Sequence, residues 1–213
     1  MHLKWVAPSR DEASAGPVVL EEVPDVWAGG EAGPPPDLPE PPAVQGGRER
    51  GLVLHKLMEE VLTCELSEEP AALETRAAEL VRALGKEPVA DASVGLSPPE
   101  LADCVARTLA IDEVVQLRPG LLAELPVYAM AANGRELLAT SGVADALAVD
   151  AQGRPLVVVD WKTDVAPDAQ TLKHYRAQVR AYLDVTGATR GLIVLMTSGT
   201  VVAVTPTPQA IDA

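Results

Sequence analysis

The 213-residue chain contains no phenylalanine, and aromatic residues make up 3% of it. Its core must therefore be built from Leu, Val and Ala, and a hydrophobic content of 47% makes one sizeable domain feasible. Only two cysteines occur, Cys64 and Cys104, without CxxC spacing. Two thiols cannot make a disulfide framework, nor the four-ligand set of an iron–sulfur cluster, so each is expected as a small buried residue on a helix. No stretch approaches the about 18 consecutive apolar residues of a membrane span. Met1–Ala7 lacks the apolar core of a secretory signal, so no membrane association and a cytoplasmic location are expected. Basic residues are scarce, 17 against 31 acids, for a formal charge of −14. Residues 1–47 hold eight acids and two bases, a net of −6, which leaves −8 for the rest. Such acidity speaks against a simple electrostatic binder of nucleic acid, unless bound divalent cations invert the field that a phosphate meets.

Proline and glycine are concentrated at the start. Pro34-Pro35-Pro36, Pro39, Pro41-Pro42, Gly29-Gly30 and Gly46-Gly47 read residues 1–47 as a flexible linker. Within it, Trp5-Val6 and Val18-Val19-Leu20 are apolar enough to dock on a partner or on the domain itself. The folded domain is expected over 48–213. Leu54, Leu57, Met58, Val61 and Leu62 recur at helical spacing, with His55 on the edge of their stripe. Further helices are expected over 71–84 and, after Ser97-Pro98-Pro99-Glu100, over 101–109. Strands follow at 121–130, at 136–140 beyond an Asn133-Gly134 turn, and at 142–149, where Val143, Asp145, Leu147 and Val149 should share a face. Leu156–Asp164 reads as a buried strand ending in chemistry-bearing side chains. A helix over 169–186 closes at Gly187, and strands at 191–196 and 201–205 end the pattern. Helices, a meander, then helix and strand suit an α/β fold with a mixed sheet flanked by helices.

Period-two alternation puts Asp160 and Lys162 on one face of their strand. Asp145 lies fifteen residues earlier on a strand joined by one loop, so the two acids can converge. Hard divalent cations take carboxylate oxygens, and a nearby ammonium can orient water or stabilise developing charge. Those are the residue types that metal-assisted phosphodiester hydrolysis requires. The helix over 169–186 carries three stripes: Tyr175, Gln178 and Tyr182; Leu172, Val179 and Leu183; and Lys173, Arg176 and Arg180. The basic stripe reads equally as a solvated face or a phosphate contact.

Gly142-Val143-Ala144-Asp145, Val159-Asp160-Trp161-Lys162-Thr163 and Gln178-Val179-Arg180-Ala181-Tyr182 together resemble the PD-(D/E)XK nuclease superfamily. Gly51–Glu59, which contains His55, and Glu124-Leu125-Pro126-Val127 resemble the RecB/AddA-type branch found at the C-terminus of UvrD-like helicases. The resemblance covers about residues 48–205. It implies a restriction-endonuclease-like sheet, with His55, Asp145 and Asp160 binding the metal and Lys162 attending the attacking water. Gln178 and Tyr182 match a helix motif that supports the site and contacts the substrate strand. Trp161 stands where the family usually has Tyr, and Ala144 replaces the proline of the name; neither departure removes a ligand.

The implied activity is a Mg²⁺-dependent deoxyribonuclease, with Mn²⁺ as an alternative ion. It would act as an exonuclease module of DNA repair or recombination, on single-stranded DNA delivered by a UvrD-like helicase motor in cis or as a partner. No Gly-x-x-x-x-Gly-Lys-Ser/Thr loop occurs, so the motor itself is not expected in these residues. The rival reading is a catalytically inactive DNA-binding or scaffolding module on the same fold. The intact Asp145, Asp160, Lys162 set speaks against it.

Overall fold

The computed structural model describes residues 2–6, 44–133 and 136–206. Most of the stretch read as a linker, including Val18-Val19-Leu20, and the Gly134 position of the expected turn lie outside the described residues. The elements are β1 (His2–Val6), α1 (Arg48–Leu62), α2 (Pro70–Ala83), α3 (Pro98–Leu109), α4 (Asp112–Leu117), β2 (Leu121–Asn133), β3 (Glu136–Val149), β4 (Pro155–Lys162), α5 (Ala169–Thr186), β5 (Arg190–Leu195) and β6 (Thr200–Val204).

Six strands form one mixed sheet in the order β1-β3-β4-β5-β6, with β2 pairing β3 on its other side. β2, β3 and β4 run as an antiparallel meander; β4 and β5 are parallel and joined through α5, and β6 returns antiparallel. The core divides by sheet face. Leu54, Leu57, Met58, Leu73, Leu101 and Val105 of α1–α3 pack with Val157, Val159 and Trp161 on one face. Tyr175, Val179, Tyr182 and Leu183 of α5 pack with Val158, Ile193 and Leu195 on the other. With helices on both faces, β4 is buried along most of its length, as its continuous Val-rich sequence requires.

Three expectations change. His2–Val6 is not linker: it pairs parallel with Glu136–Thr140, so Trp5-Val6 sits on the domain's own sheet. The strands expected at 136–140 and 142–149 are one continuous strand, because Ser141 and Gly142 hold their partners Tyr128 and Val127 on β2. Cys64 lies exposed just past α1 with φ 62°, whereas Cys104 is buried in α3 as expected. The short α4 was not anticipated, since six residues are too few to show a helical period.

Close packing sets α1 and α5. A Cβ on Gly51 would lie 3.0 Å from Thr163 Oγ1, so the missing side chain brings the first turn of α1 against the end of β4. On the other face, Gly191 of β5 leaves the space that Val179 of α5 fills; a Cβ there would come within 2.2 Å of Val179 Cγ1. Gly187 ends α5 in the left-handed region at φ 72°, as its position predicts.

Candidate active site

The site is built where two strands part. The β3–β4 ladder runs to Ala146 opposite Val159 and goes no further, although β4 continues against β5 as far as Lys162. Beyond that point a side chain replaces the ladder: the Trp161 backbone N–H donates to Asp145 Oδ2 at 2.8 Å. Asp145 is thereby fixed beside β4, one residue from Asp160. The vacated edge of β3 also receives Tyr182, whose hydroxyl donates to the Val143 carbonyl at 2.8 Å.

At the same level both strands of the hairpin exchange faces. Ala146 and Ala148 join the core beneath α1–α3, yet Ala144, two residues before Ala146, joins the core beneath α5. On β2, Leu121 packs on the α1 side, while Leu125 and Val127 pack on the α5 side. Strict alternation would keep each set together. The exchange occurs at Glu124 and Asp145, which lie between the paired positions Ala123–Ala146 and Leu125–Ala144, and Glu124 carries it with a left-handed φ of 48°. Such a conformation is strained for glutamate, and strain of this kind persists where surrounding structure imposes it, often at functional sites. The expected shared face of Val143, Asp145, Leu147 and Val149 is therefore broken: Leu147 and Val149 pack beneath α5, while Val143 is exposed.

α1 brings His55 to this point. His55 Nδ1 lies 3.6 Å from Asp145 Oδ1, and the ligand atoms of His55, Glu124 and Asp145 all fall within 4.8 Å of one another. Burial pushes the Glu124 carboxyl above its usual range and Glu59 adds to this, while His55 and Lys56 pull the other way. One imidazole and two carboxylates at this spacing suit a divalent cation that accepts oxygen and nitrogen ligands.

Five residues before His55, Arg50 anchors the helix. It is buried at 2% exposure and donates to Glu100 Oε1 at 2.6 Å and Oε2 at 3.3 Å. It also donates to the Thr163 carbonyl at 3.0 Å and Thr197 Oγ1 at 2.9 Å. One guanidinium thus ties α1 and α3 to the ends of β4 and β5.

α5 supplies the opposite wall. Asp160 and Lys162 are 3% and 5% exposed, with Lys162 Nζ 3.3 Å from Asp160 Oδ2. The ammonium donates to Gln178 Oε1 at 3.0 Å and stands 4.5 Å from the Tyr175 ring centroid. Tyr175 is held in turn by its hydroxyl, which donates to Asp164 Oδ2 at 2.6 Å.

The six candidate site residues His55, Asp145, Asp160, Lys162, Gln178 and Tyr182 lie at or beside the strand divergence, whereas Lys173 and Arg180 of the basic stripe are exposed. His55 and Asp145 face each other, Asp160 and Lys162 form a pair, Gln178 touches Lys162, and Tyr182 holds the β3 backbone. Glu124 joins His55 and Asp145 more closely than its motif alone indicated. Tyr175 belongs to the Lys162 environment; its place in the stripe with Gln178 and Tyr182 carried that signal. Arg50 gave no usable signal, because its partners are 50, 113 and 147 residues away.

A family profile of the PD-(D/E)XK nuclease superfamily matches residues 31–203. No curated protein matches the chain in sequence. Among solved structures, that of SSO0001 is similar at 20% identity and a TM-score of 0.38, covering 76% of this chain and 80% of that one.

Proposed function

This chain belongs to the PD-(D/E)XK nuclease superfamily, and on that premise we propose that it is a metal-dependent deoxyribonuclease of the RecB/AddA type, an exonuclease acting on single-stranded DNA. The observation that carries this reading is the convergence of His55, Glu124 and Asp145 beside the buried Asp160–Lys162 pair. His55, Asp145 and Asp160 would hold the ion, Mg²⁺ or Mn²⁺, with Glu124 as a further oxygen donor. When bound, such an ion acidifies water and offsets phosphate charge in the transition state.

The remaining work falls to the chain's own groups. The Trp161 amide occupies Asp145 Oδ2 and so orients the carboxylate, leaving Oδ1 turned toward His55. Lys162 carries its positive charge at a site shielded from solvent, where it acts more strongly on developing negative charge than it would in water. Gln178 and the Tyr175 ring hold that ammonium in place, and Asp160 balances it before substrate arrives. A helicase motor of the UvrD type, in cis or as a partner, would deliver the strand, placing the activity in DNA repair or recombination in the cytoplasm.

The test is cleavage of end-labelled linear and circular single-stranded DNA with Mg²⁺ or Mn²⁺. The linear substrate is degraded from an end, the circle persists, and Asp160→Ala or Lys162→Ala abolishes the reaction. Cleavage that survives both substitutions overturns the site. Binding without cutting under either ion would favour an inactive DNA-binding module.

A further inference from the structure

The β2–β3 hairpin runs well past β4, and among the described residues only β1 pairs with its far end. Its two strands pair from Leu121–Ala148 to Asn133–Glu136, whereas β4 covers only Ala146–Val149 of β3. Past the exchange of faces at Glu124 and Asp145, Leu125 and Val127 point into the α5-side core. Pro126 and Tyr128 must then point to the opposite face, and the register sets Val143 across from Pro126 and Ser141 across from Tyr128. Tyr128 is 76% exposed, Val143 41%, and Pro126 is exposed as well. An apolar strip thus runs outward from Glu124 on the outer side of the hairpin. Tyr128 stands four residues from Glu124, about 13 Å along an extended strand.

Lone exposed apolar residues are ordinary. This strip differs in composition and position. In a chain without phenylalanine, Trp161, Tyr175 and Tyr182 are all buried, and Tyr128 alone of the tyrosines presents its ring to solvent. The strip also begins at the residues that would hold the ion. A chain of charge −14 has few cations with which to grip phosphates, so uncharged contacts have room to add affinity for a nucleic-acid strand. Aromatic faces supply it without charge, because every base has a π-face to stack on.

We propose that Pro126, Tyr128 and Val143 form a stacking platform for unpaired nucleobases, with the Tyr128 ring as its centre. The proposal rests on the nuclease reading and names how that site retains its strand. It commits to bases exposed in a single strand, since a paired base keeps its faces within the duplex stack.

The platform is tested by fluorescence anisotropy with labelled oligothymidylate and an abasic oligomer of equal length. A Lys162→Met background prevents cleavage while keeping the oxygen and nitrogen ligands. Tyr128→Thr, which retains a strand-favouring side chain, weakens oligothymidylate binding by about 5- to 150-fold, and Tyr128→Trp restores it. The abasic oligomer binds both forms equally weakly. In the otherwise unaltered chain, Tyr128→Thr raises KM and leaves kcat unchanged. Equal binding of oligothymidylate by both forms, equal losses for the two oligomers, or no binding by the background chain overturns the platform. So does a change of oligomeric state with Tyr128→Thr in sedimentation velocity, which assigns the strip to a second copy of the chain. The two readings fail separately: base-dependent binding through Tyr128 without any cleavage sinks only the nuclease, and cleavage indifferent to Tyr128 sinks only the platform.

Discussion

Among the described residues two cations are buried, Arg50 and Lys162, and they are held in opposite ways. Arg50, between α1 and α3, directs its planar fork at four oxygens: two on Glu100, the Thr163 carbonyl and the Thr197 hydroxyl. Lys162, across β4, meets an amide oxygen, a carboxylate oxygen and an aromatic face. The guanidinium is a fixed joint whose geometry admits little else. The ammonium is a compact charge whose partner, Asp160, directly precedes the Trp161 amide that holds Asp145 of the His55–Glu124–Asp145 cluster. Burial alone therefore does not separate structural from chemical charge. What separates them is whether the partners have other work to do.

The sharpest way to break that contrast is to remove each cation in turn. Lys162→Met is expected to lower cleavage of labelled single-stranded DNA by about 10²- to 10³-fold, since it removes a preorganised charge from a shielded site. Its fold is weakened by the uncompensated Asp160 carboxylate, and Mn²⁺ should restore its Tm toward that of the parent. Arg50→Met should cost about 3–5 kcal/mol in urea unfolding, because Glu100 and the carbonyl ends of β4 lose their donor together. Here Mn²⁺ should raise Tm no more than it does in the parent. A Lys162→Met protein indifferent to Mn²⁺ would erase the distinction.

A smaller effect separates the metal side from the lysine side. His55→Ala should weaken Mn²⁺ binding by at least about tenfold in titration calorimetry, comparable with or greater than the loss of an outer-shell partner. Gln178→Ala should leave that binding unchanged while lowering the rate, because Gln178 touches the ammonium and no ligand. Equal losses of Mn²⁺ affinity in both would show that the two halves are one unit.

These halves were unequally legible in the sequence. The Lys162 side rests on local pattern. Period two along β4 puts Asp160 with Lys162, and helical spacing along α5 lines up Tyr175, Gln178 and Tyr182, so the chain order itself carries the geometry. The longer helices and the mixed sheet follow from the same periodicities, and Gly187 marks the end of α5. The other half depends on departures from pattern. The exchange of faces at Glu124 and Asp145 breaks the alternation used to assign Val143 and Leu147, and nothing short-range marks it. Arg50 looks like an ordinary polar residue at a helix start until its distant partners are known. His2–Val6 pairs with a strand more than 130 residues away, and composition alone read it as part of a linker.

A third ion pair calibrates the first two at the shallow end of the scale. Arg76 of α2 donates to both oxygens of Glu60 on α1, at 2.7 and 2.8 Å, but the arginine side chain is one-third exposed. Water competes for it, so the pair should contribute no more than about 1 kcal/mol. Arg76 holds the Glu60 carboxyl below its ordinary value of 4.5, against the opposing effect of burial. The folded state thus releases this proton more readily than the unfolded chain. The stabilisation is fully present above the unfolded value and is lost as pH falls through the lower folded one. Glu60→Gln should therefore lower the urea midpoint at pH 6, with the gap to the parent closing as the solution is acidified through the carboxylate range. A gap that stays constant with pH would assign the contribution of Glu60 to packing of its stem against α2, and Arg76 would then join neither class of buried cation.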